Sequence, residues 1–172
     1  MCLGGESAAA GPLSLGVSRP KVRTLGAEVV IRSFEAQDHD AVVSLWKDIF
    51  PDDPPWNEPT IVIRRKLTVQ PELFLVGHVD GRLVATVLAG FDGVRGWIHH
   101  LAVRRSHRRQ GIARALMAAA EEGLAKLGCP KVNLQVRATN SAVVSFYRTL
   151  GYSVEERASL GKRLEAQATE EK

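Results

Sequence analysis

A basic turn between a strand-like and a helix-like segment constrains this chain more than any other feature. The turn, Arg108–Arg114, follows the alternating segment Trp97–Val103 and leads into the helix-like segment Ile112–Leu127. Where a strand enters a helix through a glycine-containing turn, backbone N–H groups point outward and the helix dipole adds partial positive charge. Such a helix start binds anions, phosphate above all. Because the arginines can add charge-assisted hydrogen bonds, the turn predicts a site for the diphosphate of a nucleotide-bearing cofactor.

Hydrophobic periodicity predicts the other elements. Val42, Leu45, Trp46 and Ile49 follow a helical i, i+3, i+4, i+7 spacing after a capping Asp38. The dipeptide at 80–81, Asp-Gly, is typical of a hairpin between two strands. The predicted strands are 29–32, 73–79, 83–91, 97–103, 131–137, 152–156 and 158–164, and the predicted helices are 38–49, 60–69, 112–127 and 140–150. The order β-α-α-β-β-β-α-β-α-β-β predicts a mixed α/β (α+β) sheet and not a repeated doubly wound array.

Length and composition are ordinary for one soluble globular domain. The 172 residues are 45% hydrophobic and 24% charged, which suffices for a core of its own. No segment approaches the ~20 apolar residues of a membrane span. The net charge of +4 suits anionic partners without separating nucleic acid from a phosphorylated cofactor. Cys2 and Cys129 form neither a disulfide framework nor a metal-spaced set, so we expect reduced cysteines and a cytoplasmic protein.

The ends of the chain differ from its middle. Residues 1–27 are rich in Gly, Ala, Ser and Leu without a helical or strand period, which predicts a disordered N-terminal tail. Its early basic residues also fit a transit peptide, while a cloning leader or an over-extended start explains the segment equally well. Residues 165–172 form a polar C-terminal tail. A single folded domain is therefore expected at 28–164.

Two motifs resemble the acyl-CoA-binding core of the GNAT (Gcn5-related) N-acetyltransferase superfamily. The strand end at 101–103 precedes R-x-x-G-x-A at 108–113. Asn140 is followed seven residues later by Tyr147, and then by Leu-Gly-Tyr at 150–152. The motifs lie in order on the expected element types, and the resemblance extends over residues 29–164. Stretches such as Pro-Trp-Asn at 55–57 are similar to a bacterial subgroup typified by the YpeA acetyltransferase.

The resemblance implies the GNAT acyl-CoA N-acyltransferase fold and a binding site for acetyl-CoA as cosubstrate, without a metal. Turn amides would grip the diphosphate, and Gly111 would avoid crowding it. Backbone groups of a bulged strand end would pair with the pantetheine arm and stabilise the oxyanion. Asn140 either contacts the cosubstrate or caps a helix, and Arg114 can equally be a surface residue. The residues assigned to acetyl-CoA are Leu101, Ala102, Val103, Arg108, Arg109, Gln110, Gly111, Ile112, Ala113, Arg114 and Asn140.

The resemblance also implies a catalytic acid. Tyr147 matches the family's tyrosine, which assists the departing thiolate. A thiol has a pKa of ~8.5 and a phenol of ~10, so full proton transfer is uphill by roughly 2 kcal/mol. A strong hydrogen bond can therefore act alongside proton donation. The alternative is a core aromatic residue at helical spacing.

The base that receives the amine proton is less defined. Some family members carry a glutamate where this chain has Gln135, which cannot act as a base. His99 and His100 have the right unperturbed pKa, and strand alternation places them on opposite faces. In a regular strand His99 lies on the same face as Leu101, so it is preferred as the catalytic residue. A bulge in the strand would reverse the two faces. A structural histidine and a water chain remain alternatives.

The function expected from these features is acetyl transfer from acetyl-CoA to a primary amine of a small molecule or peptide, by direct attack in a ternary complex. A non-catalytic acyl-CoA-binding or regulatory domain is the alternative. The resemblance places the acceptor pocket at the Pro-rich loop at 51–59, which Trp56 and Asn57 could line; packing of Trp56 beneath the loop is the equal alternative. Basic residues concentrate at one turn, so neither a nucleic acid nor a membrane is expected as a partner, and a homodimer is left open.

Overall fold

One mixed sheet of six strands organises the computed structural model, which describes residues 21–23 and 28–164. The strands lie in chain order; all neighbours are antiparallel except β5 and β6, which are parallel. The strands are β1 (Lys21–Arg23), β2 (Glu28–Ser33), β3 (Phe74–Val79), β4 (Arg82–Phe91), β5 (Gly96–Val103) and β6 (Val132–Leu134). The helices are α1 (His39–Ile49), α2 (Pro59–Leu67), α3 (Ile112–Lys126) and α4 (Ser141–Arg148).

Tight turns produce the predicted antiparallel meander of β3, β4 and β5. Asp80 and Gly81 both have positive φ, 48° and 74°, as the hairpin signal requires. At the next turn the Asp92 carboxylate accepts hydrogen bonds from the backbone N–H groups of Val94 and Arg95, at 2.8 and 2.7 Å. The meander and the mixed α/β fold class predicted from the sequence are confirmed.

Helices cover both faces of the sheet. The face under α1 and α2 carries an apolar core with Trp46 and Phe74 fully buried. On the other face, α3 buries Leu116, Met117 and Leu124. Alternating residues of β4 serve the two layers, which explains its almost continuous burial. The connection from β5 to the parallel strand β6 runs through α3.

A buried ion pair replaces the predicted cap of α1. Asp38 does not accept a hydrogen bond from the first turn of α1. Its carboxylate instead accepts two hydrogen bonds from Arg32, at 2.6 and 2.9 Å, and one from the backbone N–H of Glu35, at 2.9 Å. His78 Nε2 lies 3.3 Å from the same carboxylate. A buried carboxylate is stabilised far more by a guanidinium than by a helix end, so the capping prediction was wrong.

The residues from Val136 onward form a separate unit. Here α4 begins at Asn140, whose Oδ1 accepts a hydrogen bond from Val143 N at 3.3 Å, and the chain leaves it at Gly151, with φ 93°. The helix cap, one of the two roles left open for Asn140, is therefore present.

The predicted pair of closing strands at 152–156 and 158–164 is wrong, since these described residues form no strand. Their apolar side chains find no covering surface: Val154, Leu160 and Leu164 are 65%, 93% and 87% exposed. A strand requires a hydrogen-bonding neighbour and a buried face, and periodicity alone reports neither. The strand predicted at 131–137 is also shorter, because β6 pairs with β5 over three residues.

A short strand lies within the segment predicted to be a disordered tail. Lys21–Arg23 pairs antiparallel with the start of β2, so the prediction does not hold for these three residues. The rest of that tail and residues 165–172 lie outside the described residues. Among the residues that the structure does describe, no helix combines the length and the apolar character that a membrane span needs.

Candidate active site

A cavity of about 530 Å³ opens between α2, the end of β4 and the middle of β5. Trp56 and Asn57 line it, as expected for the Pro-rich loop. The other lining residues are Val62, Arg65, Lys66, Val69, Gln70, Leu88, Ala89, Gly90, Phe91, Asp92, Trp97, His99 and His100. We name this cavity the acceptor pocket, after the role that is proposed for it below.

Side chains from the end of α2 tie this wall of the pocket to β4. The Lys66 ammonium donates hydrogen bonds to the carbonyl oxygens of Ala89, at 2.6 Å, and Val69, at 2.8 Å. The Gln70 amide donates to Phe91 O at 2.9 Å and accepts from Phe91 N at 2.8 Å. Neither residue stands out in the sequence, because a polar residue at a helix end is usually solvated.

A β-bulge shapes the floor of the pocket. Thr86 pairs with Ala102 and Leu88 with His99, so His100 and Leu101 together stand opposite Val87. His100 has φ 49°, an unusual conformation for a residue with a Cβ. The extra residue interrupts the strand alternation, and both residues line the same pocket. The opposite faces expected for His99 and His100 from strand alternation therefore do not hold at the bulge.

A buried chain of hydrogen bonds holds the bulge. Trp46 Nε1 donates to Thr86 Oγ1 at 2.8 Å, and Thr86 Oγ1 donates to His100 O at 3.2 Å. Thr86 is fully buried, so its hydroxyl depends on these two partners. The Trp46 ring also packs on the His100 imidazole, with centroids 4.5 Å apart. Through Trp46, helix α1 thus holds the bulge of β5 in place.

The two histidines differ in exposure. His99 is open to solvent in the pocket, whereas the His100 Nε2 is buried without a hydrogen-bond partner. Partial loss of hydration lowers the pKa of both imidazoles, for His99 even though part of its side chain reaches solvent, and the charge of Lys66 lowers the pKa of His99 further. Asp53 Oδ2, 3.8 Å from His100 Nε2, acts in the opposite direction on His100. Both rings are therefore neutral near pH 7 and able to accept a proton.

The basic turn has the conformation of an anion site. Arg109 and Gly111 have φ of 63° and 82°, and Gly111 N-caps α3 without a side chain to cap it. No acidic residue lies in the first turn of α3, where one would favour the dipole, and Arg114 lies there instead. The start of α3 therefore has neither a side-chain cap nor an acidic residue to compensate its dipole. The turn also contacts the strand end, since Arg108 Nε donates to Val103 O at 3.3 Å.

The other residues assigned to the cosubstrate are distributed along the same stretch. Ala102 is buried in the core, and Leu101 and Val103 are half-buried. Gln110 donates from its amide to Ser106 O at 3.3 Å. Ile112 is buried beneath the turn, and Ala113 is half-buried.

Tyr147 lies in α4, within the separate C-terminal unit. Its ring packs against Tyr152 and Phe146, with centroids 5.6 and 5.2 Å away. Burial raises the pKa of Tyr147 to about 12. In the described parts of the chain, no group of three or more His, Cys, Asp or Glu side chains could hold a metal ion.

Comparison with protein families agrees with this architecture. The acetyltransferase (GNAT) family matches residues 39–152, more than half of the chain. The chain belongs to this family. It is therefore an acetyltransferase of the GNAT type, as the two motifs predicted. An acetyltransferase of Yersinia pestis (strain Pestoides F) and one of Pectobacterium atrosepticum are each 43% identical over 136 residues, covering 78% of this chain and 94% of theirs.

Solved structures share the GNAT fold of this acetyltransferase. Ard1 from Thermoplasma volcanium aligns with a TM-score of 0.67 at 23% identity, over 74% of this chain and 84% of its own. The aminoglycoside N-acetyltransferase AAC(6')-Iy, in complex with the bisubstrate analogue CoA-S-monomethyl-acetylneamine, also scores 0.67 at 18% identity, over 79% and 98%. At these identities the likeness concerns the fold.

Proposed function

We propose that this acetyltransferase transfers the acetyl group of acetyl-CoA to a primary amine by direct attack in a ternary complex. The observation that carries the proposal is the acceptor pocket, which places two neutral imidazoles at a strand bulge a few residues before an anion-binding turn. Donor and acceptor would thus have separate sites joined by one stretch of chain, residues 99–112.

The basic turn fits the diphosphate of CoA. The uncapped amides of α3 supply backbone donors, and exposed Arg108 and Arg109 supply positive charge. A Cβ on Gly111 would meet nothing within 4 Å in the protein. The glycine is therefore required by its positive φ and, on our proposal, by the approach of a ligand.

In the proposed reaction a new N–C bond forms as the amine attacks the thioester carbonyl, and the C–S bond then breaks. His99 takes the proton from the attacking nitrogen, whose acidity rises as the bond forms. We prefer His99 because its imidazole is accessible, while the His100 Nε2 is buried. Backbone N–H groups around the bulge at 100–103 stabilise the oxyanion.

Tyr147 is proposed to assist the departing thiolate by a hydrogen bond. With a pKa of about 12, complete proton donation to a thiolate of pKa ~8.5 would be uphill by roughly 5 kcal/mol. A hydrogen bond requires no such transfer, and the sulfur can take its proton from solvent. The raised pKa therefore favours hydrogen bonding over proton donation as the role of Tyr147.

An acceptor panel tests the proposal. Purified protein is given acetyl-CoA with polyamines, amino acids, aminoglycosides and peptide N-termini, and release of free CoA is followed. We expect turnover that requires both substrates, with double-reciprocal plots that intersect, as a ternary complex predicts. Parallel plots would contradict direct attack. CoA binding without acetylation of any amine would support the non-catalytic alternative, for which the exposed Gln135, in place of a glutamate, is the favouring observation.

The cellular setting is also a proposal. Cys129 is a free cysteine, half-buried, and its Sγ–H donates to Lys131 O at 3.2 Å. A structural thiol of this kind suits the reducing cytoplasm that we propose as the location.

A further inference from the structure

We propose that the acceptor amine carries a nearby anionic group, a carboxylate or a phosphate, and that Lys66 binds this group. The inference rests on the proposed function and assigns its acceptor class. It makes Lys66 a specificity-determining residue of the acceptor pocket.

The Lys66 ammonium lies in the pocket wall without an anionic partner. Both of its hydrogen-bond acceptors, Ala89 O and Val69 O, are neutral carbonyls. An ammonium has three donors, so one remains for a ligand. No carboxylate of the described chain comes within 4.0 Å of its nitrogen, and Glu72 acts on it only at longer range. Partly buried charges are normally paired, and this one lacks its counter-charge.

Burial of the ammonium opposes its charged form. Burial lowers the pKa of Lys66 to about 8, and the charge of Glu72 compensates only in part. An anion bound at the Nζ would stabilise the charged form. It would also lie in the pocket that His99 lines. An acceptor anchored by its anion at Lys66 would thus bring its amine close to the proposed base.

The acids of the pocket do not favour a polycationic acceptor. Asp92 is the one carboxylate among the described lining residues. It already accepts hydrogen bonds from Val94 N, Arg95 N and Trp97 Nε1, the last at 3.1 Å. Arg65 adds a second cation to the lining. Polyamines and aminoglycosides would bring further ammonium groups toward these cations, whereas an anion-bearing amine would neutralise them.

Matched acceptors test the class first. Initial rates with saturating acetyl-CoA are measured for amino acids against their C-terminal amides, and for phosphoethanolamine against ethanolamine. We expect kcat/KM to be at least tenfold higher for the acidic member of one pair. A higher kcat/KM for the amino acid indicates a carboxylate, and a higher kcat/KM for phosphoethanolamine indicates a phosphate. Equal or better turnover of the neutral or polycationic amines would overturn the inference and leave the proposed function intact.

Variants then test Lys66 itself. Lys66→Met keeps the apolar stem and removes the charge, and Lys66→Arg keeps the charge. Arg64→Met is the matched control, because it removes a cation from the same helix at an exposed position outside the pocket lining. We expect Lys66→Met to raise KM for the preferred acidic acceptor at least tenfold more than it raises KM for the neutral analogue. Lys66→Arg should restore most of the loss, and Arg64→Met should resemble the wild type.

The remaining outcomes also decide the question. If Lys66→Met lowers turnover of both members of a pair equally, with a lower Tm, Lys66 is only a tether between α2 and β4, and the inference is wrong. If that variant does not fold, the wild-type comparison of matched acceptors decides alone. If no amine is acetylated while CoA still binds, the proposed function itself has failed, and the inference fails with it.

Discussion

His99 and His100 are neighbours in the sequence, but the protein gives their imidazoles different surroundings. His99 is open to the acceptor pocket, and its nearest ring contact is Trp97, with centroids 6.5 Å apart. His100 is packed between Trp46 and Phe50, with centroids 4.5 and 5.5 Å away. The two histidines therefore differ in their accessibility to an incoming amine, and this difference does not follow from strand parity.

Replacement of His99 tests the proposed base. We expect His99→Asn to lower kcat roughly 100-fold, the scale of general-base catalysis, with CoA affinity unchanged. Because the pKa of His99 is lowered, the acid limb of the wild-type kcat profile should have its midpoint below ~6.5 and should be absent in the variant. In the control, His100→Asn, the limb should persist while Tm falls. An unchanged kcat in His99→Asn would exclude it as the base.

Replacement of Tyr147 tests the acid. Tyr147→Phe keeps the ring that packs on Tyr152 and removes the hydroxyl. We expect turnover to fall at least tenfold while CoA affinity, measured by calorimetry, stays within twofold. Since the raised pKa favours hydrogen bonding over proton donation, the basic limb of the wild-type profile should not follow a tyrosine titration. Unchanged turnover would show that Tyr147 is a packing residue.

Among the elements, the bulge in β5 depends on a hydroxyl supplied by β4. Thr86→Val keeps the shape of the side chain but leaves Trp46 Nε1 and His100 O without their partner. We expect unfolding free energy to fall by about 1–3 kcal/mol, the cost of buried unsatisfied groups. Because the bulge positions both histidines, kcat should fall as well. Thr86→Ser keeps the hydroxyl, so it should retain more activity than Thr86→Val; the reverse order in denaturant melts and kinetics would contradict this role.

At the basic turn, charge and backbone strain can be separated. Gly111→Ala and Gly111→Glu both place a Cβ at φ 82°, which costs about 1–2 kcal/mol of stability in each. Only the glutamate adds negative charge beside the proposed diphosphate site. We expect Gly111→Glu to abolish measurable CoA binding, and Gly111→Ala to weaken it much less. Near-normal CoA affinity in Gly111→Glu would refute the placement of the diphosphate.

For the whole molecule, stability should decrease on the acid side. The pKa values of His78, His99 and His100 are lowered by desolvation in the folded state. The unfolded chain therefore binds more protons than the folded one as pH falls through ~6.5, and unfolding becomes easier. Asp38 adds to this at lower pH: burial opposes its charge, but the hydrogen bonds from Arg32 and Glu35 N leave its pKa lowered. That contribution is present above ~3.9 and is lost below it.

Thermal melts across pH 3–8 measure this dependence. We expect Tm of the wild type to fall below pH ~6.5 and again below pH ~4. Asp38→Asn, which leaves half-buried Arg32 with only the more distant carboxylate of exposed Glu35, should be less stable at pH 7 by about 1.5–3 kcal/mol. Its difference from the wild type should shrink as the pH falls below ~4, because the unfolded wild-type chain then takes up a proton at Asp38 that the folded chain still excludes. A constant difference across the range would show that the Arg32–Asp38 pair does not control acid stability.

Local signals determined much of this protein from the sequence. The Asp80-Gly81 hairpin, the helical spacing in α1 and the glycine before α3 each depend on backbone preferences within a few residues, and each is present in the structure. For the same reason the family could be recognised, since its two motifs are local. The conformation expected of the turn at Arg108–Arg114 and the helix cap at Asn140 likewise require no knowledge of distant contacts.

Only the tertiary structure decided the features that depend on residues distant in the chain. The bulge at His100 needs Thr86 and Trp46, so strand parity alone misplaced the histidines. Lys66 lies in the pocket wall only because α2 packs against β4. Asp38 pairs with Arg32 and His78, which lie on two other segments of the chain. Because this pairing cannot be read from local sequence, Asp38 was predicted to be a helix cap. Packing determines where a polar group loses its water, and that loss defines both the pocket and the buried ion pair.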